Sequence, residues 1–271
     1  MPTVTTSRIT GLFQKRREEK RKAFIAYITG GDPTPDQTVA LVHALERGGA
    51  DLIELGVPFS DPIADGPVIQ RASDRALRAG TNLPRLLQMV REIRQTSQIP
   101  ILLFSYLNPL LRYGFERLSA DAAEAGVDGV LLTDLCIEEA TEPVRELQRF
   151  HLDTVFLAAP TSSERRLKLI AEHSSGFVYL VSRTGITGEQ QSISDAAGPL
   201  VERMRRLTDL PLAIGFGVST PDQVSQIAAV ADGVVVGSAL VKLVESNAAA
   251  DDLPQRLEEF TSRLTRPLHA K

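Results

Sequence analysis

Eight short, β-prone apolar runs punctuate this chain, at 24–29, 51–55, 101–106, 129–133, 154–158, 177–182, 212–215 and 233–236. Between them lie stretches whose apolar residues recur at helical spacing, such as Val39, Leu41, Val42 and Leu45, or Leu167, Ile170 and Ala171. Most of the runs are nearly continuous in apolar residues, as expected of strands covered on both faces. Strict alternation of strand and helix makes the strands parallel, and eight such units match a (β/α)8 barrel, which typically needs about 250 residues. At 271 residues the chain has that length. An open doubly wound sheet is the alternative, but no G-x-G-x-x-G follows the first strand, where a dinucleotide fold would place it. The expectation is therefore an α/β chain, a (β/α)8 TIM barrel with an extra N-terminal helix, forming one domain over residues 1–271.

Charge and residue usage narrow the function classes. A formal net charge of -4 and a pI near 5.7 argue against a partner with a phosphate backbone. No apolar run approaches the ~20 residues that span a bilayer, and the single cysteine, Cys136, has no partner for an internal disulfide. The first 23 residues carry the charged run Lys15 to Lys22 and no apolar signal region. The cytoplasm is the expected location, with neither nucleic acid nor membrane as partner.

A barrel carries its chemistry on the loops that follow the strands. Those after runs one, two and six are rich in glycine, proline and polar residues. In the second run side chains alternate, so Ile53 and Leu55 face the helices and Glu54 points into the barrel mouth. Burial there would raise its pKa into the range of a general acid or base. An ordinary solvated charge at a strand end is the competing interpretation. Asp65 follows in a loop stiffened by Pro58 and Pro62, and it has the alternative of capping the helix that begins near Pro67. After runs seven and eight come Gly215, Gly217, Gly237 and Ser238, where close backbone N–H groups and a helix N-terminus suit a phosphate.

Lys15, Lys20, Lys22, Lys168, Lys242 and Lys271 lie in helical or terminal segments, which leaves no strand-end lysine for a Schiff base. His43, His151, His173 and His269 fall on helices or their trailing turns, so no metal is implied. Titratable candidates at the mouth are Glu54, Asp65, Asp134, Tyr27 and Tyr106, with Tyr179 midway along run six. The two tyrosines Tyr106 and Tyr179 suit barrel filling as well as substrate contact. Carboxylate acid–base chemistry on a phosphorylated substrate remains.

The stretch L-I-E-L-G-V-P-F-S-D-P-I-A-D-G-P, residues 52–67, resembles the signature of the tryptophan synthase alpha-subunit family. Segments 28–33, 182–188, 215–217 and 237–238 fall in the same order and spacing as in that family. The resemblance implies cleavage of indole-3-glycerol phosphate to indole and glyceraldehyde 3-phosphate, with indole passed to a beta subunit in an α2β2 assembly. It implies no cofactor in this chain and pyridoxal phosphate on the beta subunit. By resemblance Glu54 is the acid–base residue and Asp65 accepts a hydrogen bond from the indole N–H. Tyr27, Ile69, Phe104, Tyr106, Leu131 and Phe216 match the indole pocket, while Gly188, Gly217, Gly237 and Ser238 match the phosphate contacts. Thr187 matches a threonine of a lid, 183–191, that engages the aspartate on closure. Tyr27 stands where phenylalanine is also found, and Cys136 replaces a common proline in the loop that, with Asp134, would face the beta subunit. A stand-alone lyase releasing free indole, and an idle regulatory subunit that binds glycerol phosphate, are the alternatives.

Overall fold

A computed structural model describes residues 7–181, 193–215 and 217–269. Among them nine parallel strands form one sheet: β1 (Ala23–Thr29), β2 (Leu52–Gly56), β3 (Ile101–Ser105), β4 (Gly129–Leu132), β5 (Asp153–Val155), β6 (Leu157–Ala158), β7 (Val178–Val181), β8 (Leu212–Gly215) and β9 (Gly233–Val236). Their order is β5-β4-β3-β2-β1-β9-β8-β7-β6. The two outermost members are neighbours in the chain, so the sheet closes on itself. β5 and β6 are the halves of the fifth expected strand, divided at Phe156. The first half pairs with Gly129 to Leu131 and the second with Tyr179 and Leu180. The Phe156 carbonyl accepts from the Tyr179 N–H at 3.1 Å across the join.

Alternation sorts the side chains into two layers. Phe24, Ala26, Ile28, Ile53, Leu55, Ile101, Leu103, Val130 and Leu132 point outward into the layer beneath the helices. Ile25, Leu52, Leu102, Leu131, Val155, Tyr179, Ala213 and Val235 fill the interior. The helix Arg8–Glu18 closes the bottom, inserting Ile9 and Phe13 into the interior layer, with the Phe13 ring centroid 5.5 Å from that of Phe177.

At that bottom end aspartates tie the strand starts together. Asp51, Asp128 and Asp232 each accept a backbone N–H from the first or second residue of a neighbouring strand, from Phe24 at 2.8 Å, Ile101 at 2.8 Å and Leu212 at 2.9 Å. Each also pairs with an arginine, Arg16, Arg94 and Arg205 respectively. Two helices sit instead at the mouth. Pro67–Arg78 follows the Asp65 loop, and Ser238–Ser246 follows β9. They pack on each other through Ala72 and Val241, which with Tyr27 form a small apolar cluster of their own.

Candidate active site

Glu54 lies on β2 opposite Tyr27 of β1 and Leu102 of β3. Its neighbours Ile53 and Leu55 are held by the outer layer, and this directs the carboxyl inward. Glu54 is 1% exposed, and its Oε1 has no hydrogen-bond partner among the described residues. The solvated strand-end charge is thus ruled out. Burial pushes its pKa up to about 8, so the carboxyl holds its proton at neutral pH.

Asp65 does not cap the following helix. The cap position is Gly66, which has no side-chain cap bond. Instead the Tyr106 hydroxyl donates to Asp65 Oδ2 at 3.0 Å and accepts from the Ala64 N–H at 2.9 Å, clamping the loop from below. Gln70 completes the clamp by donating to the Asp65 carbonyl at 2.9 Å. Burial raises the Asp65 pKa to about 6, against the opposing pull of the Tyr106 hydrogen bond. Between about pH 6 and 8 the site therefore holds one protonated carboxyl and one carboxylate. Two like groups with separated pKa values are the requirement for distinct acid and anion roles.

The two carboxyls open into one cavity of about 310 Å3. Of the residues expected to meet substrate, Tyr27, Ile69, Phe104 and Tyr179 line it, as do Gly217, Gly237 and Ser238. The Tyr27 and Phe104 rings meet edge to face at 5.2 Å, and the Tyr27 hydroxyl rests 3.4 Å from Thr29 Oγ1. Burial drives the Tyr27 and Tyr179 hydroxyls to titrate far above the ordinary tyrosine value. Tyr106 serves the Asp65 loop and stacks at 5.3 Å on Phe59. Leu131, the ladder partner of Phe104, is fully buried in the barrel interior. Thr187, Gly188, Phe216 and the expected lid 183–191 lie outside the described residues.

Glycine is required at two cradle positions for different reasons. Gly217 has φ +76, in the left-handed region that side chains disfavour. At Gly215 an added Cβ would stand 2.0 Å from the Tyr179 hydroxyl. Gly237 caps Ser238–Ser246, so the first N–H groups of that helix face the cavity.

Thr133, Leu157, Val181 and Val235 also line the cavity and were not singled out from the sequence. Period-two counting from the inward residues Val155, Tyr179 and Leu131 reaches Leu157, Val181 and Thr133, while Val235 belongs to the inner layer on β9. Asp134 accepts the Leu107 N–H at 2.7 Å, and Cys136 is exposed with its thiol donating to Glu138 at 2.9 Å.

Removing the Tyr106 hydroxyl tests the clamp. A hydrogen bond to the ionised form lowers a carboxyl pKa, so Tyr106→Phe moves the acidic limb of kcat/KM upward from about 6. A pH–rate profile with an unmoved acidic limb would contradict that assignment.

A barrel mouth that pairs a buried acid with a carboxylate, beside a glycine-lined helix N-terminus, defines an acid–base enzyme of the (β/α)8 class. Comparison with known proteins makes the family specific. The family model described as "Tryptophan synthase alpha chain" matches residues 13–268. A tryptophan synthase alpha chain from Solibacter usitatus is 59% identical over 265 residues, covering 98% of this chain and 99% of the relative. One from Geobacter sulfurreducens is 51% identical over 258 residues, covering 95% and 97%. The crystal structure of tryptophan synthase subunit alpha from Legionella pneumophila superposes with a TM-score of 0.89 at 38% identity, covering 97% of this chain and 98% of the other. A chain of Mycobacterium tuberculosis tryptophan synthase superposes with a TM-score of 0.88 at 38% identity, covering 98% and 100%. This chain belongs to the tryptophan synthase alpha chain family.

Proposed function

We propose that this chain cleaves indole-3-glycerol phosphate to indole and glyceraldehyde 3-phosphate and delivers the indole to a beta subunit. The observation that carries the reading is the buried, protonated Glu54 sharing one cavity with an anionic Asp65 and a helix N-terminus. The Glu54 carboxyl gives its proton to C3 of the indole ring, forming an indolenine. As a carboxylate it then takes the proton from the glycerol hydroxyl next to the ring. The bond between C3 and the glycerol carbon breaks, its electron pair returns to the ring, and the hydroxyl carbon becomes the aldehyde. Asp65 accepts a hydrogen bond from the indole N–H and stabilises the positive charge that builds there. Glu54 ends the cycle with the proton it needs to begin another.

Tyr27, Ile69, Phe104 and Tyr179 supply apolar walls for the ring, and Gly217, Gly237 and Ser238 supply N–H groups for the phosphate. The beta subunit, with its pyridoxal phosphate, docks at the mouth in an α2β2 assembly. Among the described residues the two exposed large apolar side chains, Ile63 (77%) and Leu111 (57%), both lie on mouth-side segments and suit such a partner. No described helix is long and apolar enough to cross a membrane, and the cytoplasm fits a soluble biosynthetic substrate.

The purified chain is expected to release glyceraldehyde 3-phosphate from indole-3-glycerol phosphate, slowly alone and faster when a beta subunit is added. Absence of product under both conditions would overturn the reading.

A further inference from the structure

The two helices at the mouth begin at the groups that meet substrate and end in a common ion-pair cluster. Pro67–Arg78 starts two residues after Asp65, while Ser238–Ser246 starts at the phosphate cradle. Gly66, Gly237 and Ser238 all line the cavity, so both helices run away from it side by side. One turn beyond their Ala72 and Val241 contact they are joined by charge. Arg75 donates to Glu245 Oε1 at 2.7 Å, and Arg71 donates to both oxygens of Glu245 at 2.7 and 2.8 Å. Arg75 also grips both oxygens of Asp32, at 2.7 and 3.0 Å. Asp32 is 3% exposed and belongs to the loop after β1, whose Gly31 N–H is itself held by Thr38 at 2.9 Å.

We infer that Arg75, Glu245 and Arg71 form a positioning cluster that sets the distance between Asp65 and the phosphate cradle. The inference rests on the proposed phosphate site and goes beyond it, because none of these side chains lines the cavity. Each helix is a stiff lever. Arg75 lies eight residues along its helix from Pro67, about 12 Å, and Glu245 seven from Ser238, about 10 Å. Tethering the far ends to each other, and through Asp32 to the barrel, removes the freedom of one lever to slide past the other. A substrate bridging both near ends is then held with its ring and its phosphate in fixed separation, as productive geometry demands. Charge balance supports a structural clamp: two guanidinium groups face two carboxylates, and the arginines hold the Glu245 carboxyl down at about 2. Geometry gives the clamp direction, since Arg75 alone reaches both the barrel and the second helix.

Arg75 itself is a poor probe, because its removal strands the buried Asp32 carboxylate. Glu245→Ala releases the second lever and leaves the Arg75–Asp32 pair in place. Cleavage of indole-3-glycerol phosphate by this variant should lose at least ~10-fold in kcat/KM. Competitive inhibition by inorganic phosphate, which touches the cradle but spans nothing, should stay within about twofold of the parent. Glu245→Gln, which keeps one acceptor oxygen for the arginines, should recover part of the loss. The inference is overturned if kcat/KM is unchanged, or if phosphate affinity falls in parallel with it. The parent protein assayed alongside separates the two readings. A parent that cleaves no substrate overturns the proposed function and this inference with it, whereas an active parent with an unaffected Glu245→Ala overturns this inference alone.

Discussion

Turnover in Glu54→Gln should fall at least ~10²-fold, because the amide keeps the shape of the side chain and cannot pass a proton. The same substitution should make the folded protein more stable at alkaline pH. Glu54 is buried and titrates near 8 in the fold, against 4.5 in an exposed chain. Below pH 4.5 the carboxyl is protonated in both states and imposes no penalty. As pH rises toward 8, the unfolded chain gains the free energy of ionisation while the folded chain keeps its proton, so stability declines across that window. The cost above it is on the order of a few kcal/mol, and a neutral amide avoids it. Thermal melts of parent and Glu54→Gln should coincide near pH 4 and separate at pH 8.5, with the variant higher. Turnover within a few-fold of the parent would remove Glu54 from the acid–base role. Coincident melts at both pH values would mean that the carboxyl is not desolvated.

Asp65→Asn should lower kcat by about 10², the lower range for loss of one preorganised electrostatic group. The amide oxygen can still accept from an indole N–H, but it brings no negative charge to balance the indolenine. Tyr106 keeps a partner, so the loop should hold its place. The loss should appear in kcat more than in KM, since the charge on the ring exists only after protonation. The acidic limb near 6 should also vanish from the pH profile, because the group that carries it is gone. A variant whose kcat stays within a few-fold, or whose acidic limb persists, would show that another group meets the ring nitrogen.

Much of this architecture is legible in the residue order because a barrel strand is short and its two faces are chemically alike except at the mouth. Ile53 and Leu55 bracket Glu54, and that alternation alone aims the carboxyl inward, as found. The interruption of the fifth strand is not legible. Thr154 to Ala158 has uniform β propensity, and what divides it is a change of ladder partner from β4 to β7 at Phe156. In the sequence Tyr106 suits barrel filling and substrate contact at the mouth equally. Its work is done by the hydroxyl, 41 residues from Asp65 in sequence, and no local pattern reports such a contact. The same holds for Arg75 and Glu245, 170 residues apart, which meet because two helices begin at one cavity.

Strand β2 is bounded at its start by Asp51 and carries Glu54 three residues later. Asp51 is met by the Phe24 N–H and the Arg16 guanidinium, whereas the Glu54 carboxyl has an oxygen without a hydrogen-bond partner among the described residues. Some 10 Å of extended backbone lies between them. At that separation, without shared partners, the free-energy effects of substitutions add rather than couple. The bottom of the barrel can therefore drift, losing or regaining fastenings such as Arg16 with Asp51, while selection on the mouth sees only the remaining margin of stability. Inheritance can alter how firmly this molecule is built without renegotiating what it does.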